Sequence, residues 1–67
     1  MNLSQAEATL TKNNIAYDKR FGFSSFHYTA LVFANERLAW KAYDLLAING
    51  TGILKEGNGQ YSIHFYS

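Results

Sequence analysis

Few side chains of this sequence carry groups that could perform chemistry, and they do not combine into a catalytic or metal-binding set. His27 and His64 are the only two histidines, and the alternation of the strands predicted to hold them places them on opposite faces of a sheet. A four-coordinate zinc site needs further ligands, and no Asp or Glu lies at a ligand spacing from either histidine. The chain also contains no cysteine. We therefore expect no metal and no cofactor.

The other candidates for catalysis have simpler structural interpretations. Ser24 and Ser25 fall in a predicted turn and Ser62 in a predicted strand, and no neighbouring base would activate their hydroxyls as nucleophiles. Residues 57–59, Gly-Asn-Gly, are typical of a tight hairpin turn, and the sequence has no P-loop or dinucleotide-binding fingerprint. We expect no catalytic residues and a protein that is not an enzyme.

Aromatic residues are abundant in this chain. Five Phe, five Tyr and one Trp make up 16% of the residues, and charged residues also make up 16%, against about 25% in a typical domain. A core built from 67 residues cannot easily enclose so many rings, so some should be exposed and available to a partner. The predicted partner-binding residues are Trp40 and Tyr43 on a helix, and Phe26, Tyr28, His64 and Tyr66 on a sheet face.

The predicted helix from Asn35 to Gly50 positions the first pair of rings. Asn35 is a favourable N-cap, and Gly50 supplies the left-handed residue that commonly ends a helix. At about 100° per residue, Trp40 points away from the apolar stripe, which leaves it exposed or covered by the N-terminal helix or the chain end. The stripe expected to face the sheet consists of Leu38, Ala42, Leu45 and Leu46.

The other elements follow from capping, alternation and turn signals. Ser4 and Glu7 fit a capping box at the start of a helix, and Asn13-Asn14 is expected to end that helix. The predicted elements are a helix at 5–12 and strands at 15–21, 26–33, 51–56 and 60–66. The order α-β-β-α-β-β predicts an α+β two-layer sandwich, with the helices on one face of an antiparallel sheet. A ferredoxin-like variant fits this order, and we expect a single small domain over residues 1–67.

Strand alternation predicts which side of the sheet faces the helices. One interpretation places Leu31, Phe33, Tyr61, Ile63 and Phe65 under the helices. The opposite face would then carry Phe26, Tyr28, Ala30 and Val32, flanked by Ser62, His64 and Tyr66. The reverse assignment, with Phe26 and Tyr28 in the core, stays open at this point.

Residues 26–67 resemble the second half of an RNA recognition motif. A strand precedes a helix with the pattern Ala-x-x-Ala, at Ala39 and Ala42, and residues 49–51, Asn-Gly-Thr, come before a last strand. The family's first strand, which carries its other signature, has no room before Ser4. The resemblance implies a ferredoxin-like order of elements more strongly than it implies RNA binding, because a fold does not carry a function.

The octapeptide signature of that family aligns on residues 26–33. Tyr28 and Phe33 match its aromatic positions, and Leu31 replaces the usual Val. Ala30 stands where the family has a second stacking aromatic residue, and the initial basic residue and glycine of the signature are absent. The resemblance implies that any contact with RNA would be made by the aromatic sheet face.

The charge of the chain favours no single partner class. The formal net charge is +1, which argues against nonspecific duplex binding because that depends on many phosphate contacts. A small basic strip of Lys19, Arg20, Arg37 and Lys41 is best interpreted as a solvated surface. No stretch approaches the roughly 20 apolar residues of a membrane span, and the first residues lack the features of a signal peptide. We expect the protein in the cytoplasm.

These observations lead to one hypothesis and two alternatives. The leading hypothesis is a small non-enzymatic module that binds and occludes a partner protein, similar in general character to phage- or plasmid-borne inhibitors such as anti-CRISPR proteins. The first alternative is a single-stranded RNA- or DNA-binding domain that uses the aromatic sheet face. The second is a homodimer sealed by the open face of the sheet.

Overall fold

The computed structural model describes residues 2–23, 25–46 and 52–66. Two helices and four antiparallel strands follow one another in the predicted order, so the predicted α+β fold is confirmed. The helices are α1 (Leu3–Lys12) and α2 (Glu36–Leu46), and the strands are β1 (Asp18–Phe23), β2 (His27–Phe33), β3 (Ile53–Lys55) and β4 (Tyr61–Tyr66). A short 3-10 turn, Gly57–Gly59, joins β3 to β4.

The first helix begins two residues earlier than predicted. Asn2, not Ser4, is the N-cap: its Oδ1 accepts from the backbone N–H of Gln5 at 2.8 Å, and the Gln5 side chain accepts from the Asn2 N–H at 3.1 Å. This is a complete capping box at the same spacing as the predicted Ser4–Glu7 pair, made by Asn and Gln in place of Ser and Glu. Glu7 is therefore free to contact β1.

The end of α1 is closed by a Schellman motif. Asn14 adopts a left-handed conformation with φ of 57°, as expected for the Asn pair. Its N–H donates to the Thr11 carbonyl at 3.1 Å, and the Ile15 N–H donates to the Leu10 carbonyl at 3.0 Å. Leu10 and Ile15 both lie in the hydrophobic core, which supplies the apolar contact that usually accompanies this motif.

This motif explains why β1 does not span the predicted residues 15–21. Ile15 is used to close α1 and is buried there, so the regular strand begins only at Asp18 and continues to Phe23. Gly22 therefore lies inside the strand and not in the turn. In the same way β2 begins at His27, so Phe26 lies in the bend that precedes it.

The second helix begins as predicted. Asn35 Oδ1 accepts from the Leu38 N–H at 2.9 Å, which satisfies one of the unpaired donors of the first turn. Ala39, Ala42 and Leu46 are buried, but Leu45 is 38% exposed, so its predicted place in the core is wrong. The predicted C-terminal signal at residues 49–50 lies outside the described residues.

The sheet has the strand order β1-β2-β4-β3, and every neighbouring pair is antiparallel. β2 and β3 are consequently parallel, with β4 between them, and α2 connects them; this split β-α-β unit is characteristic of ferredoxin-like folds. The chain thus contains two α-β-β units that meet through β2 and β4, and it leaves β1 and β3 at equivalent edges of the sheet.

The predicted face of the sheet packs against the helices. Leu31, Phe33 and Ile63 are completely buried together with residues of both helices, and Tyr61 and Phe65 pack at the border of this core. Asn58 and Gly59 adopt positive φ values of 63° and 75°, which confirms the predicted tight turn between β3 and β4. The opposite face of the sheet carries no helix among the described elements.

Candidate functional site

Trp40 lies on the solvent side of α2, as the helical periodicity predicts. It is 51% exposed, and its ring meets the edge of Tyr43 with centroids 5.6 Å apart and planes 73° apart. Tyr43 is half-buried against the core, so it supports the indole from below. A Trp held in this way loses little conformational entropy when a partner covers it, and Trp and Tyr are enriched among residues that dominate binding energy.

The charges around Trp40 are balanced. The side chains of Glu36, Arg37, Lys41 and Asp44 are all exposed on the outer side of α2, two acidic and two basic. The pKa of Tyr61 on β4 is raised above its ordinary value, first by the burial of Tyr61 itself and then by the hydrogen bond and negative charge of Glu36. We refer to Trp40, Tyr43 and these four charged residues as the α2 surface.

The open face of the sheet carries a cluster of three rings. Tyr28 and His64 stack nearly parallel, with centroids 4.5 Å apart and planes 9° apart. Tyr66 leans against both of them, at 5.9 Å from Tyr28 and 6.3 Å from His64. The hydroxyl end of Tyr28 lies over Gly22, its partner across the β1–β2 pair, where a side chain would collide with it. These three rings form the open-face cluster.

Side chains of the open face also cover its small residues. Ala30, Val32 and Ser62 are buried although no described helix lies over them. The Ser62 hydroxyl donates to Glu56 Oε2 at 3.2 Å, and Arg20 on β1 reaches across β2 to Gln60 Oε1 at 3.4 Å. The face is therefore largely closed by its own polar and aromatic side chains, and Tyr66, 61% exposed, is the freest ring of the open-face cluster.

The structure exposes three aromatic residues around the β1–β2 turn. Phe21 and Phe23 are 77% and 69% exposed and, by strand alternation, lie on the helix side of the sheet. Phe26, predicted on the open face, is exposed in the bend before β2 and makes no ring contact with the open-face cluster among the described residues. Phe21 and Phe23 were missing from the predicted binding residues; the signal that could have identified them is the run Phe-Gly-Phe at the end of an edge strand.

The two histidines occupy opposite faces, as predicted. His27 contacts Phe23 at a centroid distance of 4.7 Å on the helix side, whereas His64 belongs to the open-face cluster. Over residues 2–23, 25–46 and 52–66, no three His, Cys, Asp or Glu side chains come close enough to hold a metal ion. Neither histidine therefore belongs to a cluster of metal-ligating side chains within the described part of the chain.

One shallow pocket of about 130 Å³ lies at the lower end of the open face, lined by residues including Tyr17, Asp18 and Gln60. Typical small-molecule sites enclose about 300–1,000 Å³, so this pocket is smaller than that range. Tyr17 next to it has a structural role: its hydroxyl donates to Glu7 Oε1 at 3.0 Å. Burial, followed by this bond and the charge of Glu7, raises the pKa of Tyr17 above its ordinary value.

The predicted basic strip does not form one surface. Lys19 points to the helix side, where its ammonium pairs with Glu7 at 3.3 Å, whereas Arg20 points to the open face and bonds Gln60. An exposed ion pair of this kind contributes well under about 1 kcal/mol. The two cations therefore act separately and do not create a track for a phosphate backbone.

The fold and the site define a class of protein: a small α+β sandwich with exposed aromatic surfaces. Comparison of the chain with protein-family models, with curated proteins and with solved structures finds no significant match. No helix in the described ranges is both long and apolar enough to cross a membrane. The function must therefore be argued from the surfaces themselves.

Proposed function

We propose that this protein is a small non-enzymatic module that binds and occludes a surface of a partner protein, and that the α2 surface makes the central contact. The observation that carries the proposal is Trp40, a half-exposed indole supported edge-on by Tyr43. Burying the exposed part of such a ring in a partner's pocket is the type of contact that dominates protein interfaces. An inhibitor that acts by occlusion needs only a contact of this kind.

The charge distribution supports a protein over a nucleic acid as the ligand of this surface. Glu36, Arg37 and Asp44 lie three or four residues from Trp40 along α2 and flank it with both charge signs, which is typical of the polar rim of a protein interface. A phosphate backbone would require an excess of cations, because counterion release supplies most of the affinity. The expected partner therefore presents an apolar pocket that accepts the indole, with both charge signs around it.

Trp40 also supplies the assay, because it is the only Trp in the chain. Wild-type protein, immobilised on a support and incubated with a lysate of the source cell, should capture a partner that the Trp40→Ala variant does not retain. With the purified partner, the Kd should rise at least about 30-fold in that variant, as expected for a residue that contributes 2 kcal/mol or more. Binding should also shield the indole fluorescence of the wild type from acrylamide.

The matched control is Leu54→Ala, which removes an exposed apolar side chain from β3, away from α2. It should leave capture, Kd and fluorescence shielding unchanged. Equal affinity of the Trp40→Ala variant and the wild type would contradict the proposal. Loss of the folded circular dichroism signal in Trp40→Ala would show instead that Trp40 is structural.

Single-stranded nucleic acid is the second candidate ligand, and the open-face cluster is the observation that favours it. Tyr66 offers a largely exposed ring, and a stacked base contributes about 1–3 kcal/mol. Tyr28 and His64 already stack on each other, so a second base would have to separate them. Titration of labelled oligonucleotides at two salt concentrations tests this candidate; no binding at low salt, or binding that Tyr66→Ala does not weaken, would exclude it.

A further inference from the structure

The two edges of the sheet are built differently, although they occupy equivalent positions in the two α-β-β units. β3 is three residues long, and a very short edge strand offers little backbone to another chain. β1 is six residues long and pairs with β2 without a bulge from Asp18 to Phe23. No strand in the described part of the chain covers the outer side of β1. Its outward N–H and C=O groups are consequently available for pairing.

The first half of β1 is charged, with Asp18, Lys19 and Arg20, but the second half does not protect this edge. Natural edge strands are commonly blocked by Pro, by bulges or by charges along their length. β1 instead ends in Phe21-Gly22-Phe23, and its two Phe side chains are more exposed than any other large apolar side chain described. This charge-free half, with its exposed rings, is the part of the edge that can pair with another strand.

We propose that the outer side of β1 binds a second copy of this chain, antiparallel and strand to strand, so that two four-stranded sheets form one continuous sheet. Twofold symmetry would cover four Phe side chains, two from each copy. At about 150 Å² per ring they contribute roughly 600 Å² of apolar surface. Specific interfaces bury at least about 1,200 Å² in total, so the rings supply about half, and the paired backbones and flanking side chains supply the remainder.

The sequence of β1 is complementary to itself in one register. A twofold axis perpendicular to the sheet keeps the helices of both copies on the same side. Two residues that lie directly opposite each other then have numbers whose sum is even, because their side chains point to the same face of the sheet. With Phe21 on this axis, Phe21 of each copy faces Phe21 of the other, a favourable cross-strand pair. Lys19 then faces Phe23 of the second copy, as an ammonium beside a ring, and Arg20 faces Gly22, over which the ring of Tyr28 lies. Lys19 already lies 5.8 Å from the ring centroid of Phe21.

The neighbouring registers are less favourable. With Arg20 on the axis, two guanidinium groups would lie directly opposite each other, which destabilises a strand pair. With Gly22 on the axis, only residues 21–23 could pair, because β1 ends at Phe23. The Phe21 register pairs residues 19–23 and places no like charges opposite each other.

This dimer does not depend on the α2 surface, so its test and that of the proposed function are distinguishable. Sedimentation velocity over a range of concentrations up to millimolar should show a species of twice the 7.6 kDa chain mass. Phe21→Lys should raise the dimer Kd at least about 100-fold, equivalent to about 2.8 kcal/mol, because it removes two Phe rings from the interface and places two ammonium groups opposite each other. Leu54→Lys, at an exposed apolar position on the short β3 edge, should leave the dimer unchanged.

Both Phe variants should fold, because neither ring contributes to the core. Should Phe21→Lys fail to fold, Phe23→Lys tests the same edge, because it places its new ammonium opposite Lys19 of the second copy. A chain that stays monomeric at every concentration overturns the proposal. A dimer that withstands both substitutions does so as well.

The register is tested by oxidation of single-cysteine variants, since the chain has no cysteine of its own. Phe21→Cys should form an intermolecular disulfide, because Cα atoms of residues directly opposite in an antiparallel pair lie about 4.5–5.5 Å apart, within disulfide range. Leu54→Cys should not crosslink under the same conditions. Faster crosslinking of Arg20→Cys than of Phe21→Cys would refute the register.

Discussion

The contact between Gly22 and the ring of Tyr28 predicts the effect of adding one methyl group to the open face, as Gly22→Ala does. A Cβ built on Gly22 would lie 2.7 Å from Tyr28 Cε1, and closer still to Cζ and the hydroxyl oxygen. Cβ atoms do not tolerate such contacts, so Gly22→Ala must push the ring of Tyr28 away from β1. Because that ring stacks on His64, the displacement should disrupt the open-face cluster as well.

The expected change in the free energy of unfolding combines one stabilising effect and two destabilising effects. Replacing Gly by Ala within a strand is favourable by about 0.5–1 kcal/mol, because Gly loses more backbone freedom on folding. Loss of the Tyr28–His64 stack costs about 0.5–1.5 kcal/mol, and overpacking costs about 1–3 kcal/mol, at the low end here because the colliding atoms belong to the end of a side chain. We expect a net destabilisation of about 1 kcal/mol, or a fall in Tm of about 4–8 °C.

Thermal unfolding followed by circular dichroism measures this effect, and a second background isolates its cause. In Tyr28→Ala, where no ring lies over Gly22, adding Gly22→Ala should stabilise the protein by about 0.5–1 kcal/mol. Gly57→Ala is the matched control, because open space surrounds its added methyl group and its φ is not positive. A rise in Tm for Gly22→Ala alone, or the same change in both backgrounds, would refute this account of the open face.

Two further predictions concern alkaline pH and the core. Tyr17 and Tyr61 have raised pKa values in the folded protein, so their contribution to the free energy of unfolding is complete below about pH 10 and is lost as the pH rises through the raised values. Tyr17→Phe should therefore reduce the loss of stability in urea titrations above pH 10, and an unchanged pH profile would contradict it. Leu46→Ala should cost about 2–5 kcal/mol, much of the roughly 3–10 kcal/mol expected for a chain of this length. Leu45→Ala should cost under about 1 kcal/mol, and equal costs would show that Leu45 belongs to the core.

Local signals determined most of the fold. Asn35 caps α2 and Asn14 ends α1 because short amide side chains accept from free backbone donors and tolerate positive φ. The prediction for the N-cap of α1 was wrong because Ser4-Glu7 and Asn2-Gln5 have the same spacing. The surrounding chain decides which pair forms the capping box. Alternation likewise reduced the helix-facing side of β2 and β4 to two possible assignments, because the side chains of a strand have a period of two.

Competition between elements was harder to predict. Ile15 continues the alternation of β1 in sequence, yet it closes the Schellman motif of α1 and is buried there. One residue cannot both end a helix in this way and extend a regular strand, so β1 starts three residues later. Leu45 was misassigned for a related reason: it lies at the border of the apolar stripe, and the side on which a border residue falls depends on how the helix rolls on the sheet.

The exposed Phe residues show why a correct face assignment does not by itself identify a binding surface. Phe21 lies on the side of its strand that faces the helices, but a side is buried only where something covers it. Neither Phe21 nor Phe23 packs into the core that the described residues of the two helices form with the sheet, and both rings are exposed. Sequence alone does not show this surface, because the alternation of a strand is the same whether or not a helix covers it.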